Sequence, residues 1–334
     1  MLENNIELHI TMLGARGAGK TSLLASVYGQ FEKHVKDLYL QLTPDFKTSS
    51  VLRDKLGELE SALDDLIVSG PTGGGVMQTF NFGIGIPFKT VNFKLIFRDY
   101  PGGWVKNKPT EVISYIKKSD VIFWAIDTAA LVENRGRFCE AINSIDTITD
   151  FFKRALKELP CDQKKLILLV PIKCEKYMRN TDDIKKLCLL IEDKWSEFLN
   201  LIKTNDPSEE RFALAITPVQ TLGNVQYAYT DDSDADNPKF VFTRTSKNHP
   251  YQPKHVEQVL FYSLAFLVRR YMQIKQERIS WLDSMKYSWY RFFGGKPNQH
   301  FGAAVLHLVS HQNRNEREGF KILHGKNLLE PPSK

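Results

Sequence analysis

The stretch Ile6-Glu7-Leu8-His9-Ile10-Thr11-Met12-Leu13-Gly14-Ala15-Arg16-Gly17-Ala18-Gly19-Lys20-Thr21-Ser22 decides how this chain is read. Ile6 to Leu13 alternates before it meets glycine, which predicts a strand. Lys20 to Tyr28 predicts a helix. Between them, Gly14 to Thr21 fits GxxxxGK[ST], a turn that cradles phosphates when a strand precedes it and a helix follows. Glycines let successive backbone N–H groups curl around an anion, and the helix N-terminus adds the positive end of its dipole. Gly14, Arg16, Gly17, Ala18, Gly19, Lys20, Thr21 and Ser22 are therefore candidate phosphate-binding residues. Lys20 is expected to reach the β and γ phosphates and the Thr21 hydroxyl to ligate Mg2+. Arg16 either leans on the γ-phosphate or points to solvent.

The 334 residues suffice for one large α/β domain or two ordinary ones, at roughly 150 residues per domain. With 42% apolar and 11% aromatic residues, wholesale disorder and low-complexity sequence are excluded. Cys139, Cys161, Cys174 and Cys188 show no CxxC pair and no zinc spacing, which is reduced-compartment usage. The longest apolar run, Val259 to Val268, is about half of what a membrane span needs. No signal peptide is visible at Leu2 to Glu7, so a cytoplasmic protein is expected. The net charge of +6 is concentrated at the end of the chain, where Lys254 to Lys334 holds 13 Lys/Arg against 6 Asp/Glu. Such a tail suits a polyanionic partner or an anionic membrane surface, or is simply a solvated basic face.

Further along, Leu52, Leu56, Leu59, Leu63 and Leu66 recur at helical spacing, and Ser69 to Gly75 is a breaker cluster. Thr79 to Ile86 and Val91 to Arg98 predict an antiparallel hairpin, because so short a link forbids a parallel pair. Val121 to Ile126, Leu166 to Val170 and Phe212 to Ile216 predict buried strands. Phe138 to Leu159 and Ile184 to Ile202 each predict one long helix, and Val256 to Ile274 a closing helix. This alternation implies an α/β three-layer sandwich with a mostly parallel sheet and one antiparallel strand. Residues 1–275 are expected to form the nucleotide-binding domain, with an insert at 34–78. Residues 276–334 are expected to form a basic helical appendage. Leu222 to Pro253 reads as a loop with a short strand, Phe240 to Phe242. Its Asp232, Asp234 and Asp236 start like a calcium loop, but Asn237 and Thr243 occupy the glycine and carboxylate positions, so calcium is rejected.

The second metal-side element is expected to be an acid ending a buried strand. Lys94-Leu95-Ile96-Phe97-Arg98-Asp99 supplies it, and Asp99-Tyr100-Pro101-Gly102 fits the pattern DxxG. At this point the chain resembles the translation-factor-like (TRAFAC) clade of P-loop GTPases, which includes the Ras-like and Arf-like proteins, over roughly Ile6 to Ile274. Asp99 to Trp104 and Pro218 to Gly223 look like the GTPases of bacterial multi-gene conflict and defence systems. The resemblance implies GTP/GDP and Mg2+ as cofactors, with Asp99 holding Mg2+ through water and the Gly102 N–H sensing the γ-phosphate. It implies a switch I threonine on the metal: Thr79 fits, and Thr72 is the rival. For the base it implies Lys173 and Glu175 at the lysine and acid positions of [NT]KxD, although Ile172 replaces Asn/Thr and the acid is one methylene longer. In the family's last loop, Thr217-Pro218-Val219 leaves Val219 or a neighbour to donate to guanine O6, since proline has no N–H. Lys20, Thr79 and Gly102 are the candidate catalytic residues; Thr21, Thr79 and Asp99 the candidate metal ligands.

Ras-like enzymes carry a water-orienting glutamine directly after DxxG, where this chain has Gly103. The expectation is a GTP-binding switch with slow hydrolysis, controlling a protein partner or answering to an activating factor. An ATPase and a nucleotide-binding scaffold without turnover remain open. In the tail, Trp281, Leu282, Met285, Trp289, Phe292 and Phe293 line one helical face, suited to a partner, a membrane surface or the chain's own domain. His300, His307, His311 and His324 have no metal spacing and read as structural or surface residues.

Overall fold

The computed structural model describes residues 6–14, 17–35, 41–61, 65–68, 76–85, 91–234, 238–244, 251–276 and 320–329. The chain begins with β1 (Ile6–Leu13), α1 (Lys20–Val35), β2 (Gln41–Pro44), α2 (Phe46–Glu60) and β3 (Asp65–Val68). Then come β4 (Gln78–Gly85), β5 (Val91–Asp99), α3 (Trp104–Asn107), α4 (Pro109–Lys118), β6 (Val121–Asp127) and α5 (Thr128–Val132). The middle holds α6 (Cys139–Asn143), α7 (Ile145–Leu156), β7 (Lys165–Ile172), α8 (Thr181–Lys194), α9 (Ser196–Asn205) and β8 (Phe212–Ile216). β9 (Val225–Asp231), β10 (Lys239–Arg244), α10 (Glu257–Gln276) and β11 (Lys321–His324) complete it.

Eight strands form one sheet in the order β11-β8-β7-β6-β1-β5-β4-β2. β5, β1, β6, β7 and β8 are mutually parallel, so their C-terminal ends open on one edge, where ligands bind in such sheets. β6 and β7 are buried at every position because helices cover both faces. On one face Leu23 and Phe31 of α1 and Val259 and Phe266 of α10 pack over Leu8, Ile10, Phe97 and Phe123. On the other, Val112, Ile116, Ile148, Phe152 and Phe198 gather round Ile122 and Trp124. The Trp124 ring lies 6.1 Å from Phe152, stacked, and 5.1 Å from Phe198, edge-on. The fold is thus an α/β P-loop sandwich with an antiparallel β4–β5 pair.

Several local expectations are revised. Two strands, not one, run against the parallel set, because β11 joins β8 antiparallel in addition to β4 on β5. The helix through Leu52 stops at Glu60, and Leu66 belongs to β3. The helix expected over Phe138 to Leu159 breaks at Ser144, whose φ of 52° is left-handed, and the one over Ile184 to Ile202 breaks at Trp195. In the expected loop, β9 and β10 form a three-stranded antiparallel sheet with β3, pairing Val241 with both Tyr229 and Ile67. The Gly70 to Gly75 cluster and the aromatic face from Trp281 to Phe293 lie outside the described residues.

Residues 320–329, expected in a helical appendage, return to the main sheet. Phe320 is buried and stacks on Tyr262 of α10. His324, expected to be structural or at the surface, is buried with Nε2 3.2 Å from Asp206 Oδ2. Gly325, at φ 65°, passes so close to Phe212 that an added Cβ would lie 2.1 Å from its carbonyl oxygen. Phe320→Ala should therefore cost about 3–4 kcal/mol of stability, as large-to-small core changes do. A chemical denaturation curve checks it, and a shift below about 0.5 kcal/mol would mark the segment as surface.

Candidate functional site

The glycine loop Gly14 to Gly19 lies at the C-terminal end of β1, where the chain must turn sharply to start α1. Gly14 and Gly19 take φ values of 140° and 92°, which side chains rarely adopt. A Cβ at Gly14 would stand 3.0 Å from the Ala125 carbonyl oxygen, and one at Gly19 2.9 Å from Ile172 Cδ1. The loop is thus wedged between the ends of β6 and β7. Gly17 is exposed and Ala18 buried, while Ser22 is half-buried and its carbonyl accepts from Ser26 Oγ at 2.9 Å. Lys20 folds back, donating from Nζ to the Gly14 carbonyl at 3.0 Å. Ala15 and Arg16 lie outside the described residues.

Asp99 reaches this loop because β5 lies beside β1 with Met12 opposite Asp99. Thr21 Oγ1 donates to Asp99 Oδ2 at 2.6 Å, and Lys20 Nζ stands 3.9 Å from Asp99 Oδ1. Burial pushes the Lys20 ammonium below its ordinary pKa and the Asp99 carboxyl above its own; their mutual attraction opposes both shifts. A hydroxyl and a carboxylate side by side are the hard oxygen donors that Mg2+ takes, usually together with phosphate oxygens.

Thr79 is not brought to this pair. It is the second residue of β4, opposite Arg98, so alternation sets it on the face away from Asp99. Arg98 stands over the Tyr115 ring of α4 at 5.9 Å. Thr72 lies outside the described residues. Gly102 is half-buried in the turn after β5, its carbonyl accepting from Val105 N at 3.3 Å, and Gly103 opens α3 with an ordinary helical φ of −63°.

Beside this loop, Lys173 follows β7 in left-handed backbone at φ 59°. Its Nζ donates to the Gly17 carbonyl at 3.4 Å and to Asp127 Oδ2 at 2.5 Å, tying the glycine loop to the end of β6. Asp127 was missed in the sequence. Its signal is an aspartate closing the apolar run Val121 to Ile126, where it caps α5 by accepting from Ala130 N at 3.1 Å. Glu175 Oε1 accepts from the N–H groups of Leu222 at 2.8 Å and Gly223 at 3.0 Å. Its Oε2 is buried with no hydrogen-bond partner among the described residues, as is Thr217 Oγ1. The Val219 N–H, expected to face a base, instead donates to the Pro171 carbonyl at 2.8 Å, and the Thr217 N–H to Leu169 at 2.9 Å. These bonds latch the start of the loop after β8 onto the last residues of β7, its parallel neighbour.

No protein-family model matches the chain, and no curated protein matches it. Among solved structures it is similar to the GTPase-like domain of Ski7 from S. cerevisiae. The form bound to GDP and inorganic phosphate is 16% identical, with a TM-score of 0.34. The form bound to GTP is 17% identical, with the same TM-score of 0.34. Each match covers 65% of this chain and 43% of that chain. Sup35 complexed with GDP is 13% identical with a TM-score of 0.30, over 65% of this chain and 38% of that one. The chain thus spans less than half the length of each of these structures. Among the described residues, no helix is long and apolar enough to cross a membrane, and no group of three or more His, Cys, Asp or Glu could hold a metal.

Burial raises the Glu175 carboxyl above its ordinary value of 4.5, opposed by the two backbone N–H groups. A raised acid favours folding fully below its unfolded pKa, and that contribution is lost as pH rises through the folded pKa. Glu175→Gln cannot ionise, so it should melt higher than wild type at pH 8. The gap should close as the pH falls toward 4.5. Thermal melts at both pH values check the sign.

Proposed function

We propose that the chain is a Mg2+-dependent GTP-binding switch of the Ras-like type, hydrolysing GTP slowly and controlling a partner protein. The observation that carries this reading is the meeting of Lys20, Thr21 and Asp99 at a left-handed glycine turn on the open edge of the parallel sheet. Lys20 would place its charge on the β and γ phosphates, and the loop N–H groups would take the remaining oxygens. Thr21 and Asp99 would hold Mg2+, which when bound neutralises phosphate charge. Lys173, anchored on Gly17 and Asp127, would lay its stem along the base.

Glu175 supports guanine through its Oε2, which has no partner among the described residues and can accept from guanine's N1–H and N2–H edge. The engagement of its Oε1 by Leu222 and Gly223, and of the Val219 N–H by Pro171, favours a second reading, an ATP-binding protein. Comparing the affinities of GTP and ATP analogues separates the two, as does mass spectrometry of nucleotide that co-purifies. The translation-factor-like clade is the family setting we infer, with the basic C-terminal region contacting an anionic surface or partner.

Lys20→Ala should abolish tight triphosphate binding while leaving the melting curve cooperative, since Lys20 contributes charge rather than packing. Asp99→Asn should weaken binding far more with Mg2+ than with EDTA; equal losses in calorimetric titrations would make Asp99 structural.

Hydrolysis by the isolated chain should run at or below about 10⁻⁴ to 10⁻² per second, the range of related switches. Gly103 offers no side chain to orient water, and Thr79 faces away from Asp99. A turnover near one per second, independent of protein concentration, would mean that the chain holds its own catalytic group.

A further inference from the structure

Tyr100 directly follows Asp99 and is 1% exposed. Its ring lies 5.8 Å from Lys20 Nζ. Trp104 stacks on that ring with centroids 6.4 Å apart and planes 15° from parallel. Tyr115 of α4 stacks on Trp104 at 6.5 Å and 24°. Cations flank the stack, Lys108 at 4.4 Å from Trp104 and Arg98 at 5.9 Å from Tyr115. Three aromatic rings and three cations thus run from the phosphate-loop lysine to α4, through the turn that holds Gly102.

A π face attracts an ammonium without using up its N–H donors. A lysine held that way stays aimed and keeps hydrogen bonds to give to phosphate oxygens. We propose that Tyr100 is a positioning residue for Lys20, and that the Tyr100–Trp104–Tyr115 stack fastens the turn from Asp99 to Gly103 onto α4. Trp104 then reports optically on that turn. The inference rests on the phosphate-loop reading above and adds to it a residue outside the loop and the metal pair.

The attraction belongs to the ring and not the hydroxyl, so the test pairs Tyr100→Phe with Tyr100→Leu. Titration with Mg·GTP should give the Phe variant an affinity within about twofold of wild type and the Leu variant one roughly tenfold weaker, the scale of a desolvated cation–π contact. Near-UV circular dichroism, differenced against Trp104→Phe, should keep the Trp104 band in the Phe variant and lose it in the Leu variant. Should Tyr100→Leu fail to fold, Trp104→Leu removes the outer ring from a half-buried position. It should weaken Mg·GTP about threefold. Wild-type affinity in the folded Leu variant, or in Trp104→Leu where that is used, overturns the inference alone. So does a Phe variant as weak as the Leu one. Wild-type protein that binds neither GTP nor ATP overturns the functional reading and this inference together.

Discussion

Thr21 and Asp99 are 78 positions apart, yet a 2.6 Å hydrogen bond joins them, and the rest of the site is arranged around that bond. It exists because β5 lies beside β1 in the register that sets Asp99 opposite Met12. A one-residue slip would turn the carboxylate to the other face of the sheet. A buried face specifies such a register: Phe97, opposite Ile10 of β1, meets Phe82 and Phe123 edge-on in the core over α1. Packing far from the loop therefore decides whether the loop has an acid beside it.

Two lysine–aspartate pairs, Lys20 with Asp99 and Lys173 with Asp127, are withdrawn from water around the same loop. Burying charge is expensive even when it is paired, and an apolar substitute often serves stability as well. Clustered buried charges on the ligand edge of an α/β sheet are more often found at functional sites than elsewhere. The loops after β7 and β8 carry the complementary signature, Glu175 Oε2 and Thr217 Oγ1, buried with no hydrogen-bond partner among the described residues.

The small sheet links β3 to this region. That strand pairs with β10, whose Phe242 ring lies 5.7 Å from Lys173 Nζ. Tyr227 of β9 lies 4.5 Å from Lys176 Nζ, which also bonds Glu133 at 2.8 Å. The Arg244 guanidinium donates to the Glu60 carbonyl at 3.4 Å, joining β10 to the end of α2. β3 and the end of α2 are thus tied through β10 to the region of Lys173.

What the sequence determined by itself was local: the strand, glycine turn and helix of Ile6 to Tyr28, the buried runs of β6, β7 and β8, and the β4–β5 hairpin. Each is written in a periodicity or a breaker spanning a few neighbouring residues. Only the tertiary structure decided what depends on partners far away. Thr79 read as a candidate metal ligand, but one step of alternation against Arg98 turns it from Asp99. Val219 had an N–H to offer a ligand until Pro171, on the neighbouring strand, took it. Asp127 carried no motif and became the anchor of Lys173 only when β6 and β7 paired. The segment at Phe320 read as part of an appendage, yet Lys321 to His324 form the edge of the main sheet, because a strand's pairing depends on how its side chains fit neighbours far away in sequence.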